Sequence, residues 1–260
     1  VFQRPKYLQN SFSVLFSRKP SIRRNVFEFE TRLDNLYIKP PQIISIPDEV
    51  NPEMPRIIFT SKSMHSQIVI SQINFVLNVN YSGDLQFNIS ESKKYLLEQV
   101  SILFELLNII GEKQPSFCGF NTLVQIPTNG EDVGKMISRI YNTLLTQSAS
   151  SSHFEAPDIY DPDIYEFQFK ISKVIKQEFF SNIAVQNYRN WNNIEIGEGI
   201  LKLSKDKITE SGIQIMADFN DRYAFNEIET YSCKEDKAKE IVEASFIEID
   251  HIIEIITRSL

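Results

Sequence analysis

Between Arg56 and Tyr81 three short runs of β-branched and aromatic residues alternate with two polar turns. Arg56–Thr60, Gln67–Ser71 and Phe75–Tyr81 carry the apolar side chains, with Ser61-Lys62-Ser63 and Gln72-Ile73-Asn74 between them. Connections this short leave no room for a crossover helix, so consecutive strands must pair antiparallel. A helical stripe follows directly. Leu96, Leu97, Val100, Leu103, Phe104, Leu107 and Ile110 recur at three- and four-residue spacing, and Gly111 stands where a helix usually stops. An antiparallel ladder with an amphipathic helix behind it therefore sets the fold class.

The flanking sequence extends the pattern. Val26–Leu33 alternates like a strand, Pro40-Pro41 blocks any helix there, and Gln42–Ile46 reads as a further short strand. Phe117–Ile126 is a strand closed by Pro127. Thr128-Asn129-Gly130-Glu131 matches a capping box, and Val133, Met136, Ile137, Ile140, Tyr141 and Leu144 stripe a second helix. Residues 147–164 combine a serine tract, prolines and acids, the composition of a linker loop. Tyr165, Phe167, Phe169 and Ile171 then alternate with polar residues, and Phe179–Tyr188, Ile200–Leu203 and Ile213–Phe219 are further strand candidates. Ser232-Cys233-Lys234-Glu235 is a second capping box, opening a terminal helix with a wide isoleucine-rich stripe.

Strands arrive in runs rather than alternating strictly with helices, which predicts an α+β protein. The expected form is antiparallel sheets in two loosely similar lobes backed by long amphipathic helices. The lobes would span 26–146 and 165–260, joined by the 147–164 linker and preceded by a basic arm, 1–25.

Charge defines that arm. The whole chain is formally -7, yet residues 1–25 hold Arg4, Lys6, Arg18, Lys19, Arg23 and Arg24 with no acid, a local +6 against -13 on the rest. Such an arm can contact phosphate or a partner, or it can dock on the acidic body of its own chain. Only 8 glycines occur, which argues against glycine-rich phosphate loops, whereas 19 Phe and 10 Tyr suit strands and a large apolar core. Two cysteines, Cys118 and Cys233, do not make a secreted disulfide framework, and a reducing, cytoplasmic setting is the expectation. No apolar run reaches the roughly 18 residues a spanning helix needs, so no membrane role is expected.

The ladder and the terminal helix resemble a sporadically distributed bacterial protein family of unknown function. The resemblance rests on Pro55-Arg56 with its strand and turn, on Gln67–Asn78, on Gly119–Val124, on Ile213–Asp221 and on Lys237–Leu260. It touches residues 55–126 and 165–260 at spaced positions. Val79 stands where that family carries tryptophan, and the histidine usual in its last helix is not clearly placed here. The resemblance implies a fold and transfers no catalytic residue.

Candidate chemistry is sparse. Gly130–Lys135 is one residue short of a phosphate loop, with Met136 where a magnesium-binding hydroxyl belongs, and Gly197-Glu198-Gly199 lacks the third glycine of a dinucleotide loop. His65, His153 and His251 are too scattered for a metal cluster, and neither cysteine has a base nearby in sequence. Trp191, beside Tyr188 and Arg189, can stack on a base but reads better as core. The sharpest enzymatic pattern is Asp158 followed by Gln168 and Lys170, similar to the acid and acid-x-lysine arrangement of a large nuclease superfamily. There Asp158 would hold Mg²⁺ and Lys170 would steady a water, although Gln168 replaces an acid. The expectation is therefore a non-catalytic interaction protein without cofactor, an accessory subunit of a multi-protein bacterial system. Its contacts would come from the arm and from residues 153–166, with nucleic-acid association through the arm as the alternative.

Overall fold

The computed structural model describes residues 2–128, 168–192, 195–197, 200–202 and 208–258. The 147–164 linker, the helix expected over 133–144, the Gly130–Lys135 segment, Asp158 and His153 lie outside them.

The three runs of the ladder form β3 (Ile57–Thr60), β4 (Ser66–Ile70) and β5 (Asn74–Asn80), paired antiparallel as their short turns require. A two-residue strand, β2 (Gln42–Ile43), flanks β3. The helix behind them is α2 (Ile89–Ile109), in which Asn88 accepts the Glu91 amide at 3.3 Å and caps the start. Gly111, at φ 69°, ends it in the left-handed conformation glycine adopts without strain.

Beyond the ladder lie β1 (Lys6–Leu15), β6 (Phe117–Pro127), β7 (Gln168–Ile175), β8 (Phe179–Trp191) and β11 (Ile208–Asn220). All join one nine-stranded antiparallel sheet in the order β2-β3-β4-β5-β1-β6-β11-β8-β7. A small hairpin of β9 (Glu195–Gly197) and β10 (Ile200–Lys202) stands apart. The strands on either side of the expected linker thus share a single sheet. Residues 6–15, expected to belong to a basic arm, are its central strand, bonded to β5 on one side and β6 on the other.

Val26–Leu33 is α1, a helix and not the expected strand. Its residues fit either period. The packing decides, because Phe29 and Leu33, one turn apart, are buried, whereas Phe27 is 75% exposed. Phe29 meets Phe59 and Phe75 edge-on. A short helix, α3 (Arg222–Glu227), leads to the terminal α4 (Glu235–Arg258). Ser232 does not close the expected capping box; its hydroxyl donates to the Pro115 carbonyl at 3.2 Å instead.

The core lies between the sheet and these helices. Phe12, Phe120, Val124, Ile213, Ile215 and Phe219 face it from the central strands, with Ile241, Val242, Phe246 and Ile249 of α4 opposite. Tyr7 stacks at a tilt on Phe246, and its hydroxyl donates to Asp250 at 2.9 Å, fastening β1 to α4. Among the described residues, no helix is long and apolar enough to cross a membrane.

Candidate functional site

Alternation along each strand sends one set of side chains into the core and the other to the opposite face. On that second face the register lines up rows of hydrogen-bonding groups, uncharged apart from Asp218. One row begins with Thr60, Gln67, Asn78 and Ser11, each directly opposite the next on neighbouring strands. It continues through Asn121, Asp218 and Asn182 to Ser172 at the β7 edge. A parallel row four residues along consists of Gln125, Gln214, Gln186 and Gln168. The Ser11 hydroxyl donates to Asn78 at 2.9 Å, and the Gln125 amide to Gln214 at 2.9 Å, so neighbours in these rows touch.

Between the rows the surface dips into a cavity of about 470 Å³ whose lining includes Asn121, Asn182, Asp218, Gln168, Lys170 and Met216. Its walls offer many donors and acceptors and little net charge. Leu123, Met216 and Ala184, which follow one another across β6, β11 and β8, give it an apolar floor. The arrangement suits an uncharged polar surface, such as the peptide groups of another chain, better than a row of phosphates.

The two residues of the nuclease pattern that are described, Gln168 and Lys170, share this face of β7, as alternation predicts, and both are exposed. Asp218, the carboxylate in the cavity lining, lies two strands away and two residues out of register with Lys170, which is in line with Ala184 and Met216. Trp191 ends β8, half-buried opposite Ile208.

The basic residues of the first 25 are spent largely within the molecule. Arg4 donates to the Phe87 carbonyl and lies over the Phe87 ring. Lys6 pairs with Glu210, and Arg18 donates to Gln72 and to the Asp48 carbonyl. Arg23 pairs with Asp48 at 2.5 Å and donates to the carbonyls of Ile44 and Ile46. Lys19 pairs with Glu112 at 3.2 Å. Arg24 belongs to the short 3-10 turn before α1. Docking on the chain's own body therefore accounts for most of this positive charge.

Glu112 shows the electrostatic consequence. Burial opposes its ionisation, but the Gln114 amide at 3.0 Å, the Ser17 hydroxyl at 2.9 Å and Lys19 outweigh it and hold the carboxyl below its usual range. A carboxyl lowered on folding contributes stability above its unfolded pKa of about 4.5, and loses it as pH falls through the lower folded value. Glu112→Gln should therefore show a smaller loss of stability than the parent on acidification below about pH 4.5. Chemical denaturation at a series of pH values checks this; equal acid losses in both proteins would contradict it.

One buried cluster has no signal in the spacing of its residues. Cys118 and Cys233 lie 115 positions apart, yet their sulfurs approach to 2.9 Å, with the Asp221 carboxylate alongside. Asp221 looks like a turn residue in sequence, and only the packing of α4 against β6 brings the three together.

The open, amide-lined face of a mixed α+β sheet is thus the class of site this fold defines. No protein-family model matches the chain, and no curated protein matches it either.

Proposed function

We propose that this chain is a non-catalytic interaction protein, a subunit or accessory factor of a larger assembly, and that it binds its partner on the open face of the sheet. The observation that carries this reading is the pair of side-chain rows flanking the cavity, uncharged apart from Asp218. Hydrogen-bonding groups held in register on a rigid sheet lose little entropy on binding, which favours recognition of an ordered polar surface. One continuous sheet, with the ladder on one side of β1 and β6 and with β11, β8 and β7 on the other, presents a broad face.

The test is affinity capture with the intact chain from its source cells, compared with Asn121→Glu and Asn182→Glu. Both side chains lie on the open face opposite Asp218, so the like charge should cost no more than about 1 kcal/mol and leave the folds intact. Partner recovery should fall at least tenfold, because each variant buries an unpaired charge in the contact. Capture that survives both changes would sink the proposal for this face. A salt series addresses the nucleic-acid alternative. Phosphate contacts make log affinity fall steeply with log salt, whereas a neutral protein contact should vary little between 50 and 200 mM. A steep slope would move the assignment to nucleic acid, and Mg²⁺-dependent cleavage lost in Lys170→Ala would revive the nuclease.

A further inference from the structure

The geometry points to Cys118 and Cys233 as a redox pair that closes into an intrachain disulfide, tying β6 to the root of α4. Cys118 is the second residue of β6, and Cys233 lies two positions before α4 begins. Both are fully buried, and their sulfurs are 2.9 Å apart. That is inside the roughly 3.5–4.0 Å at which even smaller carbon atoms rest in contact. It is also short for a shared zinc ion, since bonds of about 2.3 Å at tetrahedral angles set thiolates about 3.8 Å apart. Closure to a bond of about 2.04 Å asks for less than an ångström of movement.

The surrounding backbone is already fixed for that step. The Cys233 amide donates to the Pro115 carbonyl at 2.9 Å, and the Asp221 amide donates to the Cys118 carbonyl at 3.2 Å. Asp221 is engaged elsewhere and is poorly placed to serve as a metal ligand. One carboxylate oxygen accepts the Cys118 amide at 2.7 Å, and the other accepts the Tyr231 hydroxyl at 2.7 Å. The latter oxygen also lies 3.6 Å from the Cys118 sulfur, within reach of its thiol proton. Burial pushes the Asp221 carboxyl up, against its hydrogen bonds, and pushes the Cys118 thiol up as well. Proton transfer to Asp221 is therefore the step that frees a thiolate.

The oxidant class is a hydroperoxide. Cys118, its proton passed to Asp221, attacks the peroxide oxygen; the O–O bond breaks, and the departing oxygen takes the proton from Asp221 as water or an alcohol. The sulfenic acid left on Cys118 is then attacked by the Cys233 sulfur. The S–S bond forms, the S–O bond breaks, and the sulfenic oxygen leaves as water with the Cys233 proton. Two thiols have given two electrons to one peroxide. Because burial keeps both thiols protonated, the pair is a slow lock and not a fast sensor.

The experiment treats the native full-length chain with hydrogen peroxide or with dithiothreitol, then denatures it and alkylates with N-ethylmaleimide before intact-mass measurement. The peroxide-treated chain should carry no adduct and weigh two hydrogens less than the reduced chain before alkylation. The reduced chain should carry an adduct on each cysteine. Digestion should yield one peptide linking Cys118 to Cys233. The oxidised form should melt roughly 5–15 °C higher than the reduced form, as expected for a cross-link closing a long loop. Cys233→Ser should take one adduct after dithiothreitol, should gain oxygen on Cys118 without forming a link after peroxide, and should show no rise in melting temperature; the parent mass result stands even if that variant fails to fold. Two adducts after peroxide, a sulfinic acid without a link, a cross-link between chains, or a tightly bound zinc ion that blocks closure would each overturn the assignment.

Discussion

Deletion of residues 1–15 is expected to abolish cooperative folding and not merely to trim a basic arm from an intact body. The segment supplies β1, whose pairing with β5 runs from Gln9 to Leu15 and with β6 from Lys6 to Leu15. Without it the ladder and the β6-β11-β8-β7 half lose the strand that joins them. The apolar loss is as large as the backbone loss. Tyr7, Phe12 and Val14 are buried, and each fully buried side chain of this kind contributes roughly 1.5–3 kcal/mol. Their sum, about 5–9 kcal/mol, matches a large share of the 5–15 kcal/mol by which a typical domain is stable. Loss of the Tyr7–Asp250 hydrogen bond would also loosen α4. Far-ultraviolet circular dichroism and a urea titration check the expectation. A shortened chain that unfolds in one sharp transition near the parent's midpoint would show that β1 is dispensable. Phe12→Ala is the milder companion, expected to cost about 3–5 kcal/mol because Phe12 is wholly buried.

The reason β1 escapes a reading of the sequence is specific. A bulge between Tyr7 and Gln9 shifts the alternation by one residue, so Tyr7 and Phe12 fall on the same face out of step. Asn10 then takes a core position, buried because its amide donates to the Tyr81 hydroxyl at 2.8 Å. A polar residue inside and a phase slip together hide a strand that β3, β4 and β5 display openly. Those three are legible because their partners are adjacent in sequence, and α2 because its stripe is long and its ends are marked by Asn88 and Gly111. Val26–Leu33 fits both periods, and only the burial of Phe29 and Leu33 selects the helix.

The site was less legible than the fold. Gln168 and Lys170 can be assigned to one strand face from spacing alone, but which strands flank β7 cannot. The row through Ser11, Asn121, Asp218 and Asn182 brings together residues from four strands, three of them remote in sequence from β1. The same holds for Cys118, Asp221 and Cys233, whose proximity follows from tertiary closure and leaves no local spacing to read.

Arg56→Met is expected to destabilise the protein by about 3–5 kcal/mol, the range seen when a buried charged group's network is broken. Arg56 is 0% exposed, which is rare for an arginine. Its guanidinium donates to the carbonyls of Met54 and Val50 at 2.9 Å each, and more distantly to those of Asn51 at 3.3 Å and Pro47 at 3.4 Å. Asp48 balances the charge from 3.8 Å. The loop before β3 holds Pro47, Pro52 and Pro55, which supply no amide hydrogens, so its carbonyls depend on side-chain donors. Arg56 provides them from inside, while Arg23 binds the Ile44 and Ile46 carbonyls from α1's side. Methionine keeps most of the volume and removes every donor, leaving desolvated carbonyls at about 1–3 kcal/mol apiece where water does not reach them. Arg56→Lys should recover only part of the loss, because one ammonium cannot reproduce a planar fork reaching several carbonyls. Equilibrium urea unfolding gives the size of the effect, and limited proteolysis should place the first new cleavage between residues 44 and 55. A methionine variant within about 1 kcal/mol of the parent would show that water, not Arg56, satisfies this loop.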